Sequence, residues 1–429
     1  MLSPDSLNQF EQARLFTFHD WYAPELAIIW ALINFVVPGP QGMLVLLLAL
    51  YWGALYVLAS AVAFINPRVA LILPFIGFMP FTINFAGTIW TDVLLAVSWL
   101  MSMALVFSSE VRRQELSTAR KVAVWGLFLC GSFARSNALF AAVPLGLYLI
   151  KPMRGFRLWA RVALTIVLLA GIWFGPQLLN HILSVKKVYT IHSIVTFDLG
   201  GISHFSGKNY FPVIWSEEEQ AGILTECYNS NRWDTYRWEN CKFVYERLVD
   251  NGLWGSVILW RAWLFAVSAE PLSYLRHRFK YFLPFMTSRA SYYFHAGNTA
   301  NESQRRLSEH VLFRKINNYV YRAGQFGIYR PINWLILAFG CLAVSRLVLP
   351  TRRRFVNAVC ISSIIYLATY FFVGVSSDFR YAYWPILATS VAIFVVICDL
   401  FFKANLQSAA NEAPRGNERR ETIRLSEMQ

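Results

Sequence analysis

The feature that most constrains this chain is a series of long apolar stretches with almost no charge. Residues 42–65, 355–375 and 381–402 are each more than 20 residues long, and a helix needs about 20 residues to cross the hydrocarbon of a bilayer. Runs that are this apolar and this poor in charge indicate that the bilayer is the solvent of the chain. The sequence therefore predicts an all-α polytopic membrane bundle.

Shorter apolar stretches bring the total to about 9–11 membrane segments. They are residues 24–38, 69–83, 88–107, 122–134, 136–150, 162–179 and 331–345. The pieces of 13 to 15 residues are marginal as single spans, which favours hairpins that dip or tilt within a larger bundle. Which of the segments 24–38 and 69–83 crosses and which is re-entrant stays open.

Composition agrees with a membrane protein and argues against nucleic-acid binding. The chain is 56% hydrophobic and only 15% charged, with a formal net charge of +14. The positive residues fall in short runs between apolar segments, as expected of cytoplasmic loops, and form no basic stripe or groove-reading motif. We therefore expect membrane lipids as surroundings and no nucleic acid as partner.

The distribution of Lys and Arg predicts an orientation and four parts of the chain. Basic residues cluster in 110–121, in 151–161 and in 346–354, which should all be cytoplasmic. The start of segment 88–107, the turn at Arg135, residues 180–330 and residues 376–380 then lie on the opposite face. The parts are an N-terminal membrane part (1–179), an extracytoplasmic loop region of interfacial helices (180–330), C-terminal membrane helices (331–402) and a disordered cytoplasmic tail (403–429).

The long loop contains two cysteines and three histidines outside the apolar segments. Cys227 and Cys241 lie 14 residues apart, so an oxidising compartment would permit a disulfide, and the sequence leaves its presence open. His181, His192 and His204 are spaced too irregularly for a metal-binding helix face, so we expect scattered surface histidines. Residues 253–269 form an apolar stretch interrupted by an arginine, which favours a helix at the membrane interface.

Acidic residues near the membrane surface are candidates for chemistry. Asp5 and Asp20 precede the first apolar segment; the alternative interpretation is a solvated, mobile terminus. Asp92, in GTIWTDVLLAVSWL, enters an otherwise apolar helix, where a carboxylate is costly unless it faces water or a partner. The alternative for Asp92 is a carboxylate that complements the helix dipole.

Two arginines are expected on the same face as these acids. Arg135, in CGSFARSNALFAAVP, should occupy the tip of a hairpin and bind an anion, or else snorkel to the headgroups. The motif SSDFRYAYW offers Arg380 as a phosphate clamp, with Tyr381 and Trp384 lining a lipid-facing groove, or else a local pair of Asp378 with Arg380. Carboxylates and arginines on one face suit an anionic lipid-linked donor, because a leaving phosphate needs neutralisation and an acceptor hydroxyl needs a base.

The order of these motifs resembles the GT-C superfamily of membrane glycosyltransferases, in particular the bacterial branch related to protein mannosyltransferases and lipopolysaccharide sugar transferases. The matching pieces are Asp5 in PDSLNQ with Asp20 in DWYAP, Asp92 in IWTD, Arg135 in ARSNALF, and Arg380 and Tyr381 in SDFRYAYWP. The resemblance implies Asp5 or Asp20 as general base and Asp92 in binding of a metal or the acceptor. It also implies Arg135 and Arg380 on the donor phosphate, with Asn137, Asp378 and Tyr381 lining the substrate site.

Two departures from the superfamily pattern stand out. Members begin with a transmembrane helix before the first acidic loop, whereas this sequence begins at that loop. We expect either an apolar stretch encoded upstream of Met1 or a shortened relative with a compromised site. DWYAP also has Tyr22 and Ala23 where the bacterial branch has His and Pro.

The resemblance implies a glycosyltransferase that moves a sugar from a polyprenyl-phosphate donor to a lipid, glycan or protein of the cell envelope. It would act at the outer face of a bacterial cytoplasmic membrane, with a divalent metal as an optional cofactor. The alternative is a transporter or flippase for an anionic lipid or lipid-linked sugar, which would use the arginines without a base. A third possibility is a non-catalytic scaffold. The sugar, the acceptor and the oligomeric state stay open.

Overall fold

The computed structural model describes residues 3–150, 158–288 and 310–412, and every regular element in these ranges is a helix. The all-α prediction is therefore confirmed. The first helices are α1 Pro4–Leu15, α2 Glu25–Asn34, α3 Gln41–Ala63, α4 Pro67–Ala70, α5 Pro80–Ala86, α6 Thr91–Val111, α7 Thr118–Phe133, α8 Ala138–Leu149 and α9 Leu158–Ile182. They are followed by α10 His192–Ser206, α11 Glu217–Thr225, α12 Lys242–Asp250, α13 Val257–Ala269, α14 Pro271–Thr287, α15 Val311–Ala323, α16 Pro331–Val344, α17 Pro350–Val373 and α18 Tyr383–Glu412.

Five helical segments are long and apolar enough to cross a membrane. They are Gln41–Ala63, Thr91–Val111, Val162–Ile182, Pro350–Val373 and Phe379–Phe401, and the last joins a short 3-10 turn to α18. A bent pair, Pro67–Phe78 with Pro80–Ala86, would make a sixth. Each of the ten predicted apolar stretches falls on a helix or on this pair, and five of them are too short to span alone. The chain thus has the helices of a multi-pass membrane protein.

The centre of the bundle is α6, which packs against α3, α7 and α18. Most residues of α6 are buried within the protein, whereas very few residues of α9 are. The indole of Trp99 on α6 donates to the carbonyl oxygen of Phe128 at 3.2 Å. A side chain at Gly131 would collide with this indole, so a glycine lets α7 approach α6 closely.

Polar clusters lie at both ends of α6. Asp92 is in its first turn and Glu110 in its last, about 27 Å apart at 1.5 Å per residue, close to the thickness of a hydrocarbon core. Glu110 accepts a hydrogen bond from the hydroxyl of Tyr148 at 2.8 Å and pairs with Arg354 at 3.3 Å. The predicted cytoplasmic loops at 110–121 and 346–354 therefore contribute to the same end of the bundle.

The region predicted as one long loop is mostly helical, from α10 to α15. Cys227 and Cys241 form a disulfide with their Cα atoms 5.5 Å apart, while Cys130, Cys341, Cys360 and Cys398 are free. The apolar stretch at 253–269 becomes α13, and its interfacial location stays a prediction.

The structure differs from the sequence predictions at His192, at Trp384 and in the C-terminal tail. The surface location expected for His192 is wrong, because its side chain is buried and its Nδ1 accepts the backbone N–H of Gly255 at 2.7 Å. Trp384 faces no lipid: it is fully buried and donates to the hydroxyl of Ser362 at 3.0 Å. At the C-terminus, α18 continues to Glu412, into the predicted tail, and residues 413–429 lie outside the described ranges.

Candidate functional site

The first component of the site is an ion pair between α6 and the turn that joins α7 to α8. Arg135 Nη1 lies 3.0 Å from Asp92 Oδ2, and the side chain of Asp92 is 5% exposed. The other amino group of Arg135 donates to the hydroxyl of Tyr370 at 3.2 Å. In the structure Arg135 contacts the carboxylate of Asp92 and does not snorkel to the headgroups, and its binding of a donor phosphate stays a prediction. Asn137 is buried at the start of α8, two residues further on.

The second component is Arg380, which lies between two carboxylates. Its Nη1 is 2.6 Å from Asp5 Oδ2, and its Nε is 3.0 Å from Asp378 Oδ2. The local pair with Asp378 therefore exists, together with a contact to the opposite end of the chain. The guanidinium also lies over the ring of Trp90 at 4.8 Å. Arg135 and Arg380 both face the ring of Tyr381, at 4.9 and 5.3 Å, so the two ion pairs form one charged cluster of Asp5, Asp92, Arg135, Asp378 and Arg380.

Asp5 reaches this cluster because the first turn of α1 is fastened to the segment before α6. Ser3 caps α1 in a capping box with Ser6, and such a box satisfies the free N–H groups of a helix start. The Ser6 hydroxyl donates to the carbonyl oxygen of Ile89 at 2.8 Å, and the Trp90 indole donates to Ser3 Oγ at 2.6 Å. These bonds fix the helix start against the entry to α6.

The protonation state of Asp5 follows from its neighbours. Burial alone would raise its pKa, but Arg380 and the Tyr22 hydroxyl, which donates to Asp5 Oδ1 at 2.8 Å, outweigh burial and hold the pKa below its usual value. Burial raises the pKa of Asp378, against the opposing effect of Arg380. Asp5 is thus the more acidic of the two carboxylates that share this guanidinium.

Asp20, the second predicted base, lies in a different environment. Its Oδ1 accepts the backbone N–H of Val188, and its own N–H donates to the carbonyl oxygen of Lys186 at 3.1 Å. These contacts hold residues 19–20 against the chain after α9, next to the isolated bridge of His19 with Lys186. Asp20 therefore fastens a loop, and it is Asp5 that contacts Arg380.

The end of α17 and the following turn are held from α14. Arg278 Nη1 donates to the carbonyl oxygen of Gly374 at 2.8 Å, and the Tyr281 hydroxyl donates to the carbonyl oxygen of Ser376 at 3.1 Å. A side chain at Gly374 would collide with the Tyr281 hydroxyl, so this close approach requires glycine. These contacts position the segment that leads into Asp378 and Arg380.

Sequence reasoning missed the aromatic partners of the cluster. Tyr22 and Trp90 stand in the motifs DWYAP and IWTD, but the sequence analysis gave them no role in the site. Tyr370 lies at the end of α17, where its ring stacks on that of Tyr381 with the ring centres 5.1 Å apart. Their proximity to charged motifs in the sequence was a usable signal, since Tyr and Trp combine a flat apolar face with one hydrogen-bonding group.

The described residues do not provide a metal site. They contain no group of three or more His, Cys, Asp or Glu side chains that could hold a metal ion. Asp92 instead faces Arg135, whose positive charge competes for the same oxygen atoms. The residues present do not fit a bound divalent metal, and the metal role of Asp92 stays a prediction.

A comparison of the chain with family models, with curated proteins and with solved structures finds no match.

Proposed function

We propose that this chain is a polytopic membrane glycosyltransferase that moves a sugar from a polyprenyl-phosphate donor to an acceptor of the cell envelope. The observation that carries the proposal is the contact of Asp5 with Arg380, at 2.6 Å, inside a cluster that also holds Arg135. A carboxylate that stays ionised beside two guanidiniums offers a base and an anion site together, the pair that transfer from a phosphate donor requires.

The location of the cluster along the helices favours a lipid-linked donor. It lies at the entry to α6 and at the exit of α17, the ends of two helices able to cross a membrane. The phosphate of a membrane-anchored lipid lies at such a depth, while its polyprenyl chain remains among the helices. Arg is suited to this role because its planar fork can hold two phosphate oxygens.

In the proposed reaction, the acceptor hydroxyl oxygen bonds to the anomeric carbon of the donor sugar. The bond between that carbon and the phosphate oxygen breaks, the electron pair leaves with the lipid phosphate, and the hydroxyl proton passes to Asp5. Arg135 and Arg380 neutralise the phosphate as its charge develops. A donor phosphate on Arg380 would compete with the Asp5 carboxylate and free it to accept the proton.

The disulfide supports an extracytoplasmic position for the cluster. Cys227 and Cys241 form a disulfide. Within the loop that it closes, the backbone N–H of Trp233 donates to the carbonyl oxygen of Val375 at 2.9 Å, next to the turn that carries Arg380. Disulfides persist in oxidising compartments. This supports the outer face of a bacterial cytoplasmic membrane as the place of reaction.

The proposal is tested by replacing Asp5 with Asn in the full chain, reconstituted in lipid vesicles with a radiolabelled polyprenyl-phosphate sugar and a crude envelope acceptor. Sugar transfer should fall by about 100-fold or more, the usual contribution of a general base, while donor binding persists. Glu11→Gln is the matched control, because Glu11 is exposed on the same helix. Undiminished transfer in the Asp5 variant would refute the proposal.

The same vesicles distinguish the alternatives. A flippase would move the labelled lipid between leaflets equally well with Asn at position 5, and would lose this movement when Arg380 is replaced by Gln. A scaffold would tolerate the loss of Arg135 and Arg380 alike. Only a transferase should lose product formation in the Asp5→Asn variant while it still binds the donor.

A further inference from the structure

Outside the charged cluster, Arg237 lies among aromatic rings. Its guanidinium carbon is 3.9 Å from the ring centre of Trp21 and 4.6 Å from those of Trp238 and Tyr245. These four residues form a cation–aromatic patch. Contacts of a guanidinium with aromatic faces fix its position without using its hydrogen-bond donors.

The positive charge of Arg237 has no counter-ion within the described parts of the chain. Its Nε and Nη1 atoms are buried without a hydrogen-bond partner, and no carboxylate there forms an ion pair with it. Arg135, Arg380 and the buried Arg278 each face an aspartate instead. Burial lowers the pKa of Arg237, but arginine remains protonated at any physiological pH. A cation held in this way favours the arrival of an anion.

The patch is joined to the charged cluster through the chain. Trp21 directly precedes Tyr22, whose hydroxyl bonds to Asp5. On the other side, the N–H of Ser377 donates to the carbonyl oxygen of Asn231 at 2.8 Å, which fastens the disulfide-closed loop to the segment before Asp378. A ligand on the patch would therefore lie next to the segments that carry Tyr22 and Asp378.

The exposed face of the patch is flat and aromatic. Trp238 is 64% exposed, and Trp21 and Tyr245 are half-buried. The aromatic surface continues through Trp254, whose ring centre is 4.8 Å from that of Tyr245. Rigid amphipathic rings of this kind offer a platform for the apolar face of a sugar ring.

We infer that the cation–aromatic patch binds a sugar that carries an anionic oxygen group, either a carboxylate or a phosphate. The aromatic faces take the ring and Arg237 takes the anion. The assignment of this sugar as the acceptor rests on the proposed function, because a ligand here would lie next to the segments that carry Tyr22 and Asp378. Binding itself does not depend on that function.

The charge of the cluster favours a separate site for the acceptor anion. Three carboxylates, Asp5, Asp92 and Asp378, face two guanidiniums there, Arg135 and Arg380, a formal charge of −1. Once the donor phosphate occupies Arg135 and Arg380, an acceptor anion would find no further guanidinium in the cluster and would be repelled by the carboxylates at short range. Arg237 offers the acceptor anion a separate cation.

The test is ligand-observed NMR on the full chain in phosphatidylcholine nanodiscs, with glucuronic acid, glucose 1-phosphate and glucose as probes. Replacing Arg237 with Gln should weaken binding of both charged sugars by about 10-fold or more, as expected for loss of a charge-assisted hydrogen bond, and leave glucose binding unchanged. Trp238→Ala should weaken all three. The matched control is Arg276→Gln, since Arg276 is an exposed arginine over the single ring of Phe205, at 4.7 Å.

Equal binding of the charged sugars by the Arg237→Gln variant would overturn the inference. Arg237→Lys keeps the charge but not the planar fork, so its affinity for the charged sugars should lie between those of the wild type and the Gln variant. The Lys variant also tests the inference if the Gln variant fails to fold. Repeating the titration in nanodiscs with phosphatidylglycerol tests the competing source of phosphate, a lipid headgroup. If phosphatidylglycerol abolishes sugar binding by the wild type but not the glucose binding of the Arg237→Gln variant, the lipid headgroup occupies the patch. That result would overturn the sugar proposal. These binding results are independent of transfer by the Asp5 variant.

Discussion

At the scale of single residues, the decisive feature is that Arg380 is shared. Two carboxylates, from Asp5 and Asp378, contact different nitrogen atoms of one guanidinium. The side chain of Arg380 is 19% exposed, so an incoming anion would have to compete with the carboxylates already present. The carboxylate that loses this competition becomes a free base, which would couple occupation of the donor site to readiness for proton transfer.

The first prediction concerns the hydrogen bond from Tyr22 to Asp5, at 2.8 Å. This bond is one of the causes that lower the pKa of Asp5, so Tyr22→Phe should raise that pKa. A base with a higher pKa is protonated at higher pH, and the acidic limb of the pH profile of kcat/KM for sugar transfer should move upward in pH. Tyr56→Phe, at a tyrosine that is 72% exposed, should leave the limb in place.

The same substitution has a stability readout with a defined sign. Because the folded-state pKa of Asp5 is lowered, its contribution to stability is present above the pKa of an unfolded aspartate and is lost as pH falls through the folded value. In Tyr22→Phe the folded-state pKa is higher, so the loss should be smaller and should be complete at a higher pH in thermal unfolding. An unchanged acidic limb together with an unchanged unfolding profile would contradict the role given to Tyr22.

At the scale of elements, a buried ionic group joins α10 to α14. Asp198 Oδ1 lies 2.7 Å from Arg278 Nε and 3.2 Å from His277 Nε2, and all three side chains are fully buried. Asp198 Oδ2 accepts from the Trp263 indole of α13 at 2.8 Å. Since Arg278 also binds the carbonyl oxygen of Gly374, this group connects the loop region to the turn that carries the site.

The second prediction is that Asp198→Asn destabilises the fold strongly. Burial would raise the pKa of Asp198, but Arg278 and His277 outweigh it and keep the pKa low, so the wild-type group is ionised and neutral Asn leaves the Arg278 charge uncompensated. The free energy of unfolding should fall by about 3–5 kcal/mol. Chemical denaturation in detergent measures it.

The matched control for this prediction is an exposed ion pair. Glu219 pairs with Arg247 at 2.9 Å near the surface, so Glu219→Gln should cost about 1 kcal/mol or less. A loss of similar size in the two variants would show that the buried group does not brace these helices.

The fold and part of the site were predictable because they depend on local pattern. The helices follow from apolar stretches, and the counting of basic loops placed Asp92, Arg135 and Arg380 on one face, where the structure brings them into one cluster. Asp198 and Arg237 were missed because their significance lies in partners from distant helices and loops. Likewise, nothing local to Asp20 shows that its carboxylate bonds to the backbone at Val188, so the choice between Asp5 and Asp20 needed three-dimensional packing.

At the scale of the whole molecule, the third prediction concerns orientation. The Asp92 and Glu110 ends of α6 are about 27 Å apart, and the basic loops collect at the Glu110 end. Reporters of sidedness placed after Asn180 and after Arg354 should therefore lie on opposite sides of the membrane. Both reporters on one side would refute the orientation and, with it, the extracytoplasmic site.

The contact of Asp5 with Arg380 joins residues 375 positions apart in the chain. During synthesis, Asp5 leaves the ribosome long before its counter-ion has been translated. The cluster can therefore form only after the turn before the last helix has been translated. A chain that stalls before residue 380 would hold Asp5 without its counter-ion, so the complete cluster marks a chain that has been translated through this turn.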